Sequence, residues 1–95
     1  MVVSMLQVIF HIPYSTSLKD KRRIVKSIKE KMIHRFKLSV AEIDLQDSLQ
    51  YAQLGAALVS NSREFGEGIL NKVINFIEEN LDGRLMDFKI FSEHY

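Results

Sequence analysis

The stretch LSVAEIDLQDSLQYAQLGAALVS, residues 38–60, decides the fold, because it lies between two helical segments and reads as two strands joined directly to each other. Leu38 to Leu45 and Leu49 to Ser60 are the strands, and Gln46, Asp47 and Ser48 supply the turn of a hairpin. In the second strand Ala52, Leu54, Ala56 and Leu58 recur at every second position and define a core face. Parity in the first strand is mixed, with Leu38 and Val40 pointing one way and Ala41, Ile43 and Leu45 the other. That mixture predicts a bulge or an edge position.

Upstream, a helix starts at Ser17, whose hydroxyl caps a free backbone N–H while Asp20, three residues on, is the capping-box acid. It runs to about Arg35. Leu18, Val25, Ile28, Met32 and Phe36, with Ile24 to one side, form its buried stripe. Before it, Val2 to Ile12 is a strand closed by Pro13, with Val2, Leu6, Val8, Phe10 and Ile12 on the better core face. Downstream, Asn61 with Glu64 predicts a second cap, and Phe65, Ile69, Val73, Phe76, Ile77 and Leu81 a second stripe. Gly66 and Gly68 weaken its first turns, and Gly83 is the expected left-handed stop. Leu85 to Phe91 alternates as a final strand.

The order is strand, helix, strand, strand, helix, strand. It predicts an α+β fold, a ferredoxin-like βαββαβ sandwich with a four-stranded antiparallel sheet and two helices on one face. Ninety-five residues suffice for one domain with one core, residues 1–95. On the open face of the sheet the parity places Met5, Ile9, Tyr51 and Val59, joined by Leu85, Phe91 and Tyr95. A contiguous apolar patch of this kind marks an interface, and a homodimer through the sheet face is expected, with a nucleic-acid stacking platform as the alternative.

Cysteine is absent, which excludes disulfides, thiolate metal sites and cysteine nucleophiles. The first residues lack the pattern of a signal peptide and no apolar run approaches membrane-spanning length, so a cytoplasmic protein without membrane contact is expected. Net charge is +1, yet residues 19–37 hold nine of the thirteen cationic side chains and only two of the twelve carboxylates, Asp20 and Glu30, a local balance of +7. At 100° per residue Lys19, Arg22, Arg23, Lys26 and Lys29 gather on one flank of the first helix, with too few acids for the alternating pairs of a merely soluble face. Lys21 falls near the buried side by angle and is expected to escape because it lies in the first turn. The flank predicts phosphate contacts with RNA.

Several segments together resemble the YlxP-like family of small bacterial proteins of unknown function: Met1-Val2-Val3, His11-Ile12-Pro13, Ser17-Leu18-Lys19-Asp20-Lys21-Arg22-Arg23, Val40-Ala41-Glu42, Gln46-Asp47, Ala52-Gln53-Leu54-Gly55 and Val59-Ser60-Asn61. The Ser17 to Arg23 block is the most specific of these. Ser4 departs from a frequent Gly, and Leu45 from a frequent polar residue. The resemblance implies a ferredoxin-like fold and a link to translation and the ribosome, since such proteins are often encoded beside transcription-elongation, initiation-factor and ribosome-binding-factor genes. It implies no catalytic residue.

Two alternatives stand beside the RNA reading. Lys19, Lys21 and Arg22 oppose the helix macrodipole, and an anion held by Ser15, Thr16, Ser17, Lys19 and Arg22 would offset that cost. Acylphosphatases use the same strand-helix order with a phosphate-cradling loop, but here the loop has no glycine, so a phosphatase-like enzyme is the weaker form of this reading. A protein-binding adaptor using the open sheet is the other. Glu42, Asp44 and Asp47 read as protection of an edge strand rather than a metal site. His11, His34 and His94 lack ligand spacing, and the serines lack a base, so no metal, cofactor or catalytic residue is expected. His11 has a structural role in this reading.

Overall fold

Period-two alternation in β1 (Val2–His11) organises the molecule. Its even residues Val2, Ser4, Leu6, Val8 and Phe10 are buried, and the odd ones face the other way. The computed structural model describes residues 1–95, and the chain continues as α1 (Leu18–Phe36), β2 (Ser39–Asp44), β3 (Tyr51–Ser60), α2 (Arg63–Asn80) and β4 (Arg84–His94). The four strands form one sheet in the order β2-β3-β1-β4, every pair antiparallel. Even residues of β1 and β3 share one hydrophobic core with Val25, Ile28 and Met32 of α1 and Leu70, Val73, Ile74 and Ile77 of α2. This is the α+β ferredoxin-like layout expected from the element order.

The mixed parity of β2 has both of its expected causes. β2 is an edge strand, and its register against β3 shifts between Glu42 and Asp44, which leaves Ile43 as the extra residue of a bulge. A second shift, between Ile9 and Phe10 against β4, leaves Met86 unpaired. It moves Leu85, expected on the open face, to the core side opposite Phe10, where it packs against the cluster.

α1 begins as its capping residues predict, with the Asp20 N–H donating to the Ser17 hydroxyl at 3.1 Å. The start of α2 differs by one residue. Ser62, not Asn61, is the cap, receiving the Phe65 N–H at 3.2 Å. The reason is local: the Ser60 hydroxyl accepts from the Ser62 N–H at 3.3 Å and donates to the Ser62 carbonyl at 2.8 Å, fixing Ser62 in the extended conformation a cap requires.

The same shift turns Phe65 out to solvent and Gly66 in. α2 passes so close to β1 there that a Cβ on Gly66 would collide with the Ser4 hydroxyl and lie 2.9 Å from the Ser4 Cβ. Gly83 is not left-handed, because no glycine has positive φ and the helix ends at an extended Leu81. Its role is also close approach, since a Cβ would strike the His11 carbonyl. The left-handed cap belongs to Lys37 at the end of α1, with φ 54°.

Buried Ser4 is not an orphan. Ser92 donates its only hydroxyl proton to Glu67 at 2.5 Å, so Ser4, 2.9 Å from Ser92, is the donor of that second bond. Arg63 also donates to Glu67 at 3.2 Å. These bonds join the start of α2 to β1 and β4, and the Ser92 hydroxyl is the largest influence holding the Glu67 carboxyl below its ordinary range.

Two glycines in one helix therefore have opposite expectations. Gly66→Ala overpacks against Ser4 and lowers stability by about 1–3 kcal/mol. Gly68→Ala meets nothing within 4 Å and raises it by about 0.5–1 kcal/mol. Urea titration of both variants checks the pair.

Candidate nucleic-acid interface

The basic segment becomes α1, and the core decides which of its cations remain in solvent. Lys21, Val25, Ile28 and Met32 form the buried side of this helix. Lys21 does not escape from the first turn: it is 1% exposed. Its ammonium donates to the Leu45 carbonyl and, at 3.4 Å, to that of Gln46, and it lies 3.5 Å from the Glu42 carboxylate. Leu45 adopts φ 63°, and its N–H is held by the Asp44 carboxylate at 2.7 Å, so the turn after β2 presents its carbonyls to the lysine. The buried Glu42 Oε2 has no hydrogen bond, and Lys21 is its compensating charge. Lys21 is thus a fastener between α1 and the β2–β3 hairpin, a role the helical angle hinted at and the charge run concealed.

Lys19, Arg22, Arg23 and Lys26 are exposed and Lys29 is half-buried. At 100° per residue the five span an arc of about 120° opposite and beside the core stripe. Two solvent-exposed ion pairs touch this arc, Arg23 with Asp20 at 3.8 Å and Lys26 with Glu30 at 3.9 Å. Exposed pairs of such length are worth about 0–1 kcal/mol, so they leave the cations available to a phosphate. Arg22, Lys26 and Lys29 border a cavity of about 350 Å³ toward Glu42. Arg23 lies on the other flank, where with Lys31, Asn80 and Asp82 it lines a cleft of about 210 Å³ between the helices. Lys31, His34 and Arg35 continue that groove, with Arg35 over the Phe76 ring at 5.2 Å. The basic surface therefore extends past the predicted five. Only the pairing of α1 with α2 reveals this.

The start of α1 carries an anion of its own. Thr16 donates its hydroxyl to the Asp20 carboxylate at 3.0 Å, Ser15 is buried and donates to the Ser17 carbonyl at 3.2 Å, and the Ser17 hydroxyl is the cap. Gln50, which the sequence did not single out, spans the same loop by donating to the carbonyls of Pro13 and Ser15 at 3.3 and 3.5 Å. Asp20 answers the macrodipole that Lys19 and Arg22 oppose. The Thr16 hydroxyl is the largest influence holding the Asp20 carboxyl below its ordinary range, with smaller help from Ser17 and Arg23.

On the open sheet face Met5 stands directly opposite Phe91, and Ile9 and Tyr51 lie farther along the strands. Met5, Ala41, Ile43, Gly55, Ala57 and Phe91 line an apolar groove of about 300 Å³. Tyr51 stacks on His11, with ring centroids 4.6 Å apart and planes 17° off parallel. Glu42, Asp44 and His11 do not come together as a metal site, and no group of three or more ligating side chains forms anywhere in the chain. No helix is long and apolar enough to cross a membrane.

Two expectations follow. Lys21→Met strands Glu42 and two carbonyls, and lowers stability by about 2–4 kcal/mol in urea unfolding, whereas Lys21→Met with Glu42→Gln recovers part of the loss. Thr16→Val raises the Asp20 pKa toward its ordinary 3.8. A depressed carboxyl contributes stability above its unfolded pKa and loses it as pH falls through the folded one, so the variant's acid unfolding begins at higher pH. A carboxyl-detected NMR titration reads the shift.

Residues 3–90 match the family described as "Protein of unknown function (DUF503)". A 62-residue stretch is 40% identical to the "Uncharacterized protein YlxP" of Bacillus subtilis (strain 168), covering 65% of this chain and 67% of that protein. The family expected from the Ser17 to Arg23 block and its companion segments is thereby shown. With nearly its whole length matched, the chain belongs to the DUF503 family and is a YlxP-like protein.

Proposed function

We propose that this protein is a non-catalytic binding module that engages structured RNA, such as that of the ribosome, through the outer arc of α1. One observation carries the reading: Lys19, Arg22, Arg23, Lys26 and Lys29 lie together on a helix whose opposite side is fixed in the core, and two weak, exposed ion pairs are their only salt-bridge partners. A rigid helix holds the cations at constant spacing, which favours a polyanion of defined shape over a flexible one. Arg22 and Arg23 add planar forks suited to phosphate, while the lysines act as point charges. Phosphate contacts position without reading sequence, so the expected ligand is a folded RNA shape rather than a base motif. Lys31 and Arg35, in the groove between the helices, widen the same basic surface.

If five cations meet phosphates, log K falls against log salt with a slope of about −3.5 to −4.5. Filter binding to structured RNA over a salt series measures it. Arg22 and Lys26 changed together to Glu should weaken binding far more than Lys72 and Arg84 changed to Glu, an equal change in charge. Equal losses from the two double variants reject this surface.

A further inference from the structure

We propose that two copies of this chain pair through the outer edges of β4, antiparallel and about a two-fold axis at Phe91, to form a continuous eight-stranded sheet. The inference is independent of the RNA reading, because α1 packs against β2 at the far side of the sheet.

The sheet has two free edges. That of β2 is six residues long and bulged at Ile43. Those features blunt an edge against pairing. The edge of β4 is longer and regular: once past the extra residue Met86, its register against β1 runs without interruption from Asp87 to His94, and Tyr95 extends it.

Main-chain geometry identifies the groups on that edge. Met1 and Tyr95 exchange both backbone bonds, at 3.1 and 2.8 Å. Hydrogen-bonded and non-bonded pairs alternate along an antiparallel ladder, so Phe88, Ile90, Ser92 and His94 direct their N–H and C=O groups outward. The Phe88 N–H agrees, since its partner is the Asp87 carboxylate at 2.8 Å and not β1, a bond that pairing exchanges for a main-chain acceptor.

Charge then favours one register. The regular stretch Asp87–Tyr95 is symmetric about Phe91. A two-fold there places Lys89 of each copy opposite Glu93 of the other, both on the open face, with Phe91 facing Phe91 between the two ion pairs. Ile90 and Phe88 meet Ser92 and His94, and the outward groups exchange about eight main-chain bonds. An axis at Lys89 would set lysine against lysine, and one at Ile90 would set Asp87 against Glu93. An axis at Phe88 would run into the bulge at Met86. Phe88, half-exposed in the single chain, is set against His94 of the other copy by this register. A closed two-fold pairing also satisfies both copies at once and leaves no further β4 edge to extend.

Sedimentation equilibrium, combined with amide hydrogen exchange at low and high protein concentration, tests the proposal. The wild type should show a concentration-dependent dimer in which the amides of Phe88, Ile90, Ser92 and His94 slow by at least about tenfold, since edge pairing gives them new acceptors. K89E should weaken the dimer about tenfold by opposing four carboxylates, and K89E/E93K should restore it. Lys89 and Glu93 are both exposed, so neither change disturbs the core. A monomer at all concentrations overturns the proposal. So does a dimer whose four amides exchange unchanged, the signature of pairing through the open face at Met5, Ile9, Tyr51 and Phe91, and so does a charge swap that fails to rescue.

Discussion

β1 has a hydrogen-bonded neighbour on each side, and its even residues enter the one core that both helices close, so the other elements are arranged around this constraint. Burial on one face fixes the register, since a slip of one residue would exchange the whole core face for the open one. Ser4 is the single polar member of that buried row, and two compensations accompany it: glycine at the facing position of α2, and the bonds through Ser92 and Glu67. The start of α2 is therefore placed by β1 as much as by its own cap.

The basic block Ser17 to Arg23 divides between structure and surface. Ser17 and Asp20 are consumed in starting α1, and Lys21 in holding the β2–β3 hairpin. Lys19, Arg22 and Arg23 are left for solvent or a partner. A motif that reads as one charge run thus performs three tasks, and its likeness to the family's motif is explained in part by folding alone. A buried ammonium with two carbonyls and a carboxylate specifies geometry more than it stabilises, because desolvation offsets most of the attraction. Its consequence is positional: the hairpin cannot shift without breaking contacts to the helix that carries the basic arc.

Much of this was legible in advance. The even faces of β1 and β3, the cap at Ser17, the hairpin and the α1 stripe follow from periodicity and turn chemistry, which are local. Departures arose where a neighbouring group, near or far along the chain, overrode the periodic pattern. Asn61 and Ser62 are equally good caps by composition, and Ser60 chose between them. Phe65 is a better core residue than Gly66 in isolation, yet Ser4 leaves room only for the glycine. Leu85 changed faces because Met86 bulges.

The sequence by itself determined the element order, the fold and the family, along with the concentration of positive charge on one helix, because hydrophobic period and charge placement are properties of a few adjacent residues. Tertiary structure decided the rest. It buried Lys21, opened the basic groove beside α2, and left β4 with a regular outer edge. Each of these depends on groups brought together by the sheet from separate elements, or on which side of a strand remains unpaired, and neither is written in a local pattern.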